Sequence, residues 1–403
     1  MTAIDVLVVG AGPAGSVTAA VLAAAGARVR LVDRARFPRP KLCGDTLNPG
    51  AFAVLRQLDA DGPMTGLCAR LRARALPIAG MTVSGPDGTA VTAAYPAHVR
   101  GLSLSRSELD LMLAERAAGC GVDIVEGIRA VSPVLEQGRV AGIRVEAAAA
   151  SEWRARVVVI ADGRGSRLAS ALGLSQLARR PRRWAFGSCF SGVPTATGLG
   201  EMHLRNDGYI GVSPLPDGLT NVCVVRTLTA ASARRLCQQT IIPETMAADP
   251  WLRDRFLSAR PESPVMTLGP LAVDASGAGV PGALLAGDAA GFVDPMTGDG
   301  LRFALRGGVL AAQAALHELS TGHPSFRWLE RQRQREFGYK WRFNRALRWM
   351  AGSPAALAVA TRVSARWPEP VRQIVHEAGD VRYSLPTDGG EAAGTVRAQS
   401  GVW

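Results

Sequence analysis

The chain lacks the features that mark a metal protein, a secreted protein or a membrane-spanning protein. Its six cysteines are spread singly and form no C-x-x-C pair, which indicates neither a metal site nor a disulfide framework. The apolar run at the N-terminus is short and leads into glycines, and no apolar run is long enough to cross a bilayer. We therefore expect a cytoplasmic protein in a reducing compartment.

Aromatic side chains are scarce, at 5% of the residues, and the formal net charge of +12 comes largely from arginines scattered along the chain. No zinc-finger spacing, RNA-binding signature or basic run interleaved with aromatic residues is present, so we expect no nucleic-acid partner. The positive charge leaves an anionic cofactor and an anionic membrane surface open. The length of 403 residues predicts two or three domains.

The N-terminal segment has the pattern of a nucleotide-binding unit: an apolar strand, a glycine-rich turn, an Ala-rich helix and a second strand that ends in Asp33. The turn consists of Gly10, Ala11, Gly12, Pro13, Ala14 and Gly15. Gly10 permits a tight turn, Gly12 lets the backbone approach a pyrophosphate, and Gly15 lets the helix pack closely on the strand. The helix N-terminus offers N–H groups to phosphates, and the Asp33 carboxylate is placed to bind a ribose. This unit predicts a bound adenine dinucleotide.

Two further glycine–acid turns follow strands far downstream. One contains Asp162 and Gly163, and the other contains Gly287 and Asp288. In this order and at this spacing, the three turns resemble those of the para-hydroxybenzoate hydroxylase fold, which carries FAD. The resemblance covers most of residues 1–310.

Within this superfamily, residues 37–45 and 295–301 are most similar to the geranylgeranyl reductase branch of FAD-dependent oxidoreductases. The resemblance adds predicted FAD contacts to those of the first turn and Asp33: Arg34, Cys43, Gly44, Arg106, Asp162, Gly163, Gly287, Asp288, Pro295, Gly298, Gly300 and Leu301. It implies that Asp288 binds the ribityl hydroxyls or the pyrophosphate. A helix starting after Gly298 would place its N-terminal amides at the isoalloxazine carbonyl edge, where reduced flavin carries negative charge.

The predicted fold class is α/β with an α+β second layer, in which two domains interleave along the chain. A Rossmann-type FAD-binding domain is expected over residues 1–65, 101–175 and 275–324. A mainly antiparallel β-sheet domain that binds substrate is expected over residues 66–100 and 176–274. Residues 325–403 are expected to form a basic helical region with a flexible tail. Residues 128–134 and 140–146 are expected to pair as a hairpin.

FAD would supply the electron chemistry, while the protein positions the substrate and controls access of oxygen and water. No second glycine-rich nucleotide unit is visible, so NAD(P)H is expected as a transient electron donor. A monooxygenase would hydroxylate or epoxidise its substrate through a flavin hydroperoxide. A reductase of the geranylgeranyl type would transfer hydride from N5 of reduced FAD to a carbon–carbon double bond. A non-catalytic flavin-binding or electron-transfer protein is the alternative from another class.

One strand favours the monooxygenase among these alternatives. Prenyl reductases usually carry a Tyr-x-Trp-x-Phe-Pro strand over the flavin, whereas this chain has Gly211 and Ser213 at the Trp and Phe positions. A roomier and less aromatic wall is expected there. The expected substrate is an apolar small molecule, such as an isoprenoid, a polyketide or an aromatic metabolite.

No spacing of residue types identifies a catalytic group, and four candidates remain: Cys43, Asp45, His203 and Tyr209. Cys43 either acts near the flavin or packs as a small apolar residue, and packing is favoured. His203 is the one histidine in the predicted substrate sheet that merits a test. Tyr209 either lines the pocket or fills the sheet.

The basic helical segment 331–348, followed by Trp349 and Met350, allows two interpretations. Its aromatic and arginine side chains are compatible with peripheral contact to an anionic bilayer. Packing over the FAD-binding domain with solvated arginines is favoured. The sequence does not predict an oligomeric state.

Overall fold

The computed structural model describes residues 4–60, 62–146, 151–178, 182–195, 198–229, 231–232 and 239–384. The tail predicted to be flexible lies outside the described residues. Numbered along the chain, the strands are β1 (Val6–Val9), β2 (Val29–Asp33), β3 (Thr46–Leu47), β4 (Leu76–Ile78), β5 (Gly80–Ser84), β6 (Ala90–Ala94), β7 (Gly101–Ser103), β8 (Asp123–Glu126), β9 (Arg129–Glu136), β10 (Arg139–Glu146), β11 (Ser151–Arg154), β12 (Val157–Ile160), β13 (Ser175–Leu177), β14 (Arg183–Ser191), β15 (Leu199–Arg205), β16 (Gly208–Pro214), β17 (Thr220–Thr227), β18 (Arg260–Pro261), β19 (Met266–Leu268), β20 (Val273–Ala275), β21 (Gly279–Val280) and β22 (Ala283–Leu285). The helices are α1 (Pro13–Ala24), α2 (Pro49–Ala60), α3 (Leu67–Arg74), α4 (Arg106–Gly119), α5 (Arg167–Ala171), α6 (Ile241–Ala248), α7 (Gly300–Thr321), α8 (Phe326–Ala351), α9 (Pro354–Arg366) and α10 (Glu369–Ala378).

A six-stranded sheet carries the three glycine-rich turns, and its strand order is β21-β22-β12-β1-β2-β8. All neighbours pair in parallel except β21 and β22. Strands β1 and β12 are buried along their whole length, as expected for central strands covered on both faces. Because the carboxyl ends of parallel strands share one edge, the turns after β1, β12 and β22 lie side by side.

The two faces of this sheet are covered differently, following the alternation of side chains along β1. Val6 and Val8 face a core formed with α1, α4 and α7, whereas Leu7 and Val9 face a core formed with β10. Strand β10 lies between β9 and β11 in an antiparallel sheet, so the predicted hairpin is confirmed.

Helices α1 and α7 pack with their backbones unusually close. A Cβ added to Gly308 of α7 would lie 2.6 Å from Ala14 O of α1, so only glycine fits there. Thr18 Oγ1 lies 2.7 Å from Ala14 O and 3.0 Å from Gly308 O, which joins the two helices at the same level. This contact holds the first turns of α1 against the third turn of α7.

A second sheet has the strand order β18-β14-β17-β16-β15-β5-β6, with β19 also pairing with β14. Every pair is antiparallel except β15 and β5, which run parallel, so the predicted mainly antiparallel second sheet is confirmed. One face packs against α6 through Phe186, Ile210 and Val224. The other face carries Ala185 and Val225 and turns towards the first sheet.

Helices α8, α9 and α10 confirm the helical prediction for the C-terminal region. The first half of α8 packs on the core of the six-stranded sheet, where Leu329 and Phe337 are fully buried. Trp341 packs beside Phe337 with ring centroids 5.8 Å apart, which agrees with the favoured packing interpretation for this part of α8. Val375 of α10 packs against Ala93 of β6. The C-terminal helices therefore connect the two sheets. Among the described residues, no helix is long and apolar enough to span a membrane.

Candidate active site

A cavity of about 1440 Å³ extends from the turn after β1, between the two sheets, to α9 and α10. Its flavin end, as we call it, contains Gly12, Asp288 and Gly298, and its substrate end contains Val83, Val359 and Ile374. All the predicted cofactor residues line the cavity except Gly15; Ala11 of the first turn, which was not predicted as a contact, does not line it either. The structure thus brings together residues separated by up to almost three hundred positions, and their contacts to FAD stay a prediction.

The first turn has the geometry that its glycines predicted. Gly10 has a φ of +101°, and a Cβ there would lie 2.4 Å from Ala161 O. A Cβ on Gly15 would lie 1.8 Å from Gly10 O, which explains why Gly15 packs beneath the lining. At Gly12 the nearest atom to a Cβ would be an Arg39 guanidinium nitrogen at 3.5 Å, an ordinary contact distance, so no backbone atom crowds this position. Helix α1 begins here without a side-chain cap or an acidic first turn, leaving its N–H groups to a phosphate.

Asp33 is held in place by backbone amides at the edge of the cavity. Oδ2 accepts a hydrogen bond of 2.8 Å from Ala11 N, and Oδ1 accepts one of 2.8 Å from Ala35 N. Each carboxylate oxygen can accept a second hydrogen bond. This orientation is compatible with the predicted ribose contact, and the exposed Arg34 follows directly on the cavity wall.

A buried ion-pair network underlies the flavin end. Arg106 binds Asp110 through two hydrogen bonds of 2.8 and 3.0 Å, and Asp110 is fully buried. Arg39 Nη2 lies 3.3 Å from Asp110 Oδ2. Arg39 Nη2 also lies 3.9 Å from Asp33 Oδ2, so the network links the two arginines to both carboxylates beside the cavity.

Two further cations reach the same region around Asp288. Burial raises the pKa of Asp288, while the positive charges of Lys41, Arg106 and Arg164 oppose that shift. Burial lowers the pKa of Lys41, and the Asp288 charge opposes it. Lys41, Arg164 and Arg39 were not among the predicted cofactor residues, although Arg39 and Lys41 lie in the recognised segment 37–45. Their charges suit a doubly phosphorylated ligand.

The N-terminus of α7 opens onto the cavity as the resemblance implied. Gly298 has a φ of +68°, and a Cβ on Gly298 or Gly300 would meet no heavy atom within 4 Å. Asp299 provides no side-chain cap, and the first turn of α7 has no acidic residue. The N–H groups of this turn are therefore available to an electron-rich edge of a ligand.

The Asp299 side chain instead belongs to a buried network that joins this loop to α8 and to the segment after α10. Its carboxylate lies 3.3 Å from Lys340 Nζ and accepts hydrogen bonds from Asn344 (3.0 Å) and Asn48 (3.2 Å). Lys340 Nζ also lies 3.1 Å from Asp380 Oδ1. Burial raises the pKa of Asp299 to about 7, against the opposing charge of Lys340. The network fixes the loop that carries Gly298 and Gly300.

Asp45 and Cys43 lie where the two sheets meet. Asp45 is buried with a φ of +52°, and its Oδ1 accepts a hydrogen bond of 3.1 Å from Arg106 N. Burial raises the pKa of Asp45 to about 7 despite the nearby Arg106 charge. Burial also raises the pKa of the Cys43 thiol, so the thiol keeps its proton at neutral pH. Cys43 lines the cavity. The carbonyl of Cys43 accepts hydrogen bonds from Asn221 (2.7 Å) and Cys223 (3.1 Å) on β17.

Tyr209 lines the cavity, but its hydroxyl is already engaged. The hydroxyl donates a hydrogen bond of 2.6 Å to Asp294, whose other oxygen lies 2.8 Å from Arg183 Nη1. Burial raises the pKa of Tyr209 well above its ordinary value, with a contribution from the Asp294 charge. Asp294 Oδ1 also accepts from Met296 N at 3.1 Å. Tyr209 thus anchors the segment that leads to Gly298 to the second sheet.

His203, another catalytic candidate, is not among the residues that line the cavity. It pairs with Ile210, on the α6 side of the sheet, whereas Tyr209 is on the cavity side. Its ring is fully buried, with Nδ1 2.8 Å from Ser84 Oγ and Nε2 3.0 Å from Glu201. These residue types match a hydrolytic triad, but Ser84 is fully buried.

The substrate end is apolar and is formed by both the second sheet and the C-terminal helices. The sheet contributes Ala185, Met202, Leu204, Val225, Met81 and Val83, and the helices contribute Ala356, Val359, Ala360, Val363, Val371 and Ile374. A Cβ on Gly211 would come no closer than 3.9 Å to another atom, so the wall has room at the predicted position. Helices α9 and α10 were not predicted as walls, although apolar side chains recur every three to four residues along α9.

Comparison with known proteins agrees with this arrangement. Residues 3–235 match the family described as FAD binding domain. The chain is 31% identical to the menaquinone reductase of Mycolicibacterium smegmatis over 332 residues, which are 77% of this chain and 76% of that protein. It is 28% identical to the digeranylgeranylglycerophospholipid reductase of Methanoculleus marisnigri over 79% of this chain and 78% of that protein. Its fold matches a myxobacterial chondrochloren halogenase with a TM-score of 0.79 and 24% identity, over 95% of this chain and 98% of that one.

Proposed function

The chain belongs to the FAD binding domain family and is an FAD-dependent oxidoreductase, and from this premise we propose that it reduces a carbon–carbon double bond in a long apolar substrate. One observation carries the proposal: the cavity continues from the flavin end into a channel walled by aliphatic side chains. A channel of this kind suits an isoprenoid chain, because each buried methylene adds about 0.8 kcal/mol of favourable transfer free energy.

The flavin end fits FAD in charge and in shape. The first turn of α1, with Arg39 and Lys41 nearby, would hold the pyrophosphate, and Asp33 would hold the adenosine ribose. Asp288 would bind the ribityl chain, and the first turn of α7 would face the isoalloxazine carbonyl edge. When bound there, FAD supplies the hydride for the reduction. NAD(P)H is the proposed electron donor.

The chain's own residues would then position the substrate and hold a proton. The aliphatic wall excludes water and aligns the double bond. Reduction adds a hydride to one carbon and a proton to its neighbour, so a protonated acid must lie beside the substrate. Cys43 Sγ is our candidate for this proton, because its thiol lines the cavity and its raised pKa keeps it protonated. Tyr209 acts as a positioning residue, since its proton is bonded to Asp294.

The named relatives support reduction over oxygenation. Both the mycobacterial and the archaeal relatives are named reductases, and the archaeal name specifies a digeranylgeranylglycerophospholipid. The monooxygenase remains the second candidate because of Gly211 and Ser213. Neither residue supplies the aromatic wall that is usual in prenyl reductases, and the open space beside Gly211 leaves room for a bulkier substrate.

A product-mass experiment separates the two reactions. The protein carrying FAD is incubated with NADPH or NADH and a prenyl alcohol of four isoprene units, under nitrogen and under air. We expect the flavin to bleach and the product to gain two hydrogens in both atmospheres. A product that gains oxygen and forms only in air would replace the reductase with the monooxygenase. A bleached flavin that yields neither product, also with aromatic and polyketide substrates, would contradict both.

A further inference from the structure

Four large apolar side chains line the cavity and are nevertheless exposed to solvent. They are Trp349, Val359, Val363 and Trp367, with exposed fractions of 73%, 58%, 39% and 64%. A side chain that both lines a cavity and faces solvent lies at the mouth of that cavity. We refer to these four residues as the rim. Exposed apolar groups concentrated at one opening indicate a surface that contacts something other than water.

The segment that carries the rim is rich in arginine. Residues 341–368 include five Arg and no Asp or Glu, and Glu369, which follows, lies 3.4 Å from Arg372. Arg342, Arg345, Arg362 and Arg366 of this segment are exposed. On α9, Val359 and Val363 are one helical turn apart, and Arg362 and Arg366 continue the exposed face beside them. On α9 the apolar side chains and the positive charge therefore share one exposed surface.

This combination is complementary to an anionic lipid bilayer. Amphipathic helices with apolar and basic side chains bind in the interfacial plane of anionic membranes, and tryptophan favours that interface. Each Lys or Arg near such a surface adds attraction to anionic lipids. A long apolar substrate is itself dissolved in the bilayer, and transfer through water would expose its whole surface.

We propose that the rim docks on an anionic bilayer, so that an apolar substrate enters the cavity from the lipid phase without crossing water. The inference names a partner for the cavity and rests on the proposed function for the substrate class. It places the membrane contact at the end of α8 and on α9, and not on the part of α8 around Trp341, which packs against the core.

Vesicle flotation tests the proposal directly. The full chain carrying FAD is mixed with vesicles of phosphatidylcholine, or of phosphatidylcholine and phosphatidylglycerol in a seven-to-three ratio. We expect stronger binding to the anionic vesicles and weakening by salt. Replacing the four rim residues by serine should lower the affinity about tenfold or more, and the double variant Arg362→Glu/Arg366→Glu should lower it similarly on anionic vesicles only.

The matched control replaces three exposed leucines that lie outside the cavity lining: Leu135→Ser, Leu177→Ser and Leu257→Ser, with exposed fractions of 60%, 55% and 80%. This variant should bind vesicles like the parent chain. Flavin content and the melting temperature confirm that each variant is folded. Absence of binding to anionic vesicles, or equal binding by the parent and the rim variant, would overturn the proposal. Because no substrate is present, failure of the proposed reaction would leave these outcomes unchanged.

Discussion

The flavin end of the cavity is built from backbone amides and cationic side chains, whereas the substrate end is built from aliphatic side chains. At the flavin end, Gly10 and Gly298 have φ angles of +101° and +68°, which glycine adopts without strain. At the substrate end, Met202, Leu204 and Val225 lie on regular strands, and their side chains are positioned by apolar packing. The flavin end is therefore specified by backbone geometry, while the substrate end can change in size with the fold intact.

Burial raises the pKa of a titratable group at each end, with different consequences for its charge. At the flavin end the charges of three cations oppose the raised pKa of Asp288. At the junction with the substrate end Arg106 opposes the raised pKa of Cys43 and Asp45 adds to it, and the thiol stays neutral. The flavin end is therefore suited to binding charge, and the substrate end to holding a proton near an apolar chain.

The largest expected effect comes from Asp288→Ala. Without this carboxylate the flavin end loses its proposed contact to the ribityl chain, and we expect the FAD content after purification to fall to less than about a tenth. Asp288→Asn keeps one acceptor and should retain more flavin. The ratio of flavin to protein absorbance measures both. A full complement of FAD in Asp288→Ala would refute the role assigned to the downstream turn.

Lys340→Met should destabilise the protein strongly, because it leaves Asp299 and Asp380 buried without their shared cation. Removing one partner of a buried ion pair costs about 3–5 kcal/mol of unfolding free energy. Arg306→Met is the control, since Arg306 pairs with Glu336 at a partly exposed position and should cost less than about 1 kcal/mol. Urea unfolding measures the difference, and equal costs would argue against the buried network.

Asp45 should make stability depend on pH. Its pKa is about 7 in the folded protein against an ordinary value of 3.8. Because its pKa is raised, the folded state binds this proton more tightly than the unfolded state does. The free energy of unfolding therefore gains up to about 4 kcal/mol at low pH, and this gain is lost as the pH rises through about 7. Asp45→Asn removes this change and suits the positive φ.

The control for Asp45 is Asp217→Asn, at an exposed position with a φ of +61°. The unfolding free energies of the parent chain, Asp45→Asn and Asp217→Asn are measured from acid to neutral pH. Only Asp45→Asn should show a pH dependence different from that of the parent chain. Parallel curves for all three would show that Asp45 ionises normally.

Cys43→Ala tests the proton proposed for the junction of the two ends. We expect turnover per bound FAD to fall about a hundredfold while flavin reduction by NAD(P)H continues, because general-acid catalysis contributes about 10²–10⁴-fold. Cys43→Ser should recover part of the rate. Cys120→Ala, which changes a thiol outside the cavity lining, is the control. Undiminished turnover in Cys43→Ala would assign the proton to another donor.

The smallest expected effects come from two glycines on β16. A Cβ on Gly208 would lie 1.8 Å from Val225 O, so Gly208→Ala should cost about 1–3 kcal/mol of stability. A Cβ on Gly211 faces free space, so Gly211→Ala should be neutral or stabilise by up to about 1 kcal/mol. Melting temperatures compare them. A loss at Gly211 as large as at Gly208 would contradict the roomy wall.

The flavin end could be predicted from sequence because its requirements are local. Gly10 needs its positive φ, Gly15 packs on Gly10 O within the same turn, and Asp288 lies three residues after its strand. The resemblance added Arg106 and the α7 turn. The network of Asp299, Lys340 and Asp380 could not be predicted, because its members are brought together only by the packing of α7, α8 and α10.

The substrate end was harder to predict for the same reason. The face on which His203 lies depends on the register between β15 and β16, which sequence alone left open. The position of α9 over the cavity depends on how α8 ends and turns, and the amphipathic pattern of α9 does not name its partner.

The central claim is that one continuous cavity joins a bound FAD to the aliphatic channel. Titrating the FAD-loaded protein with a long prenyl alcohol, while recording the flavin absorption spectrum, tests this most directly. We predict a saturable shift of the flavin bands, since a ligand in the channel displaces water from the isoalloxazine. A ligand that binds, as shown by calorimetry, without changing the flavin spectrum would contradict the claim.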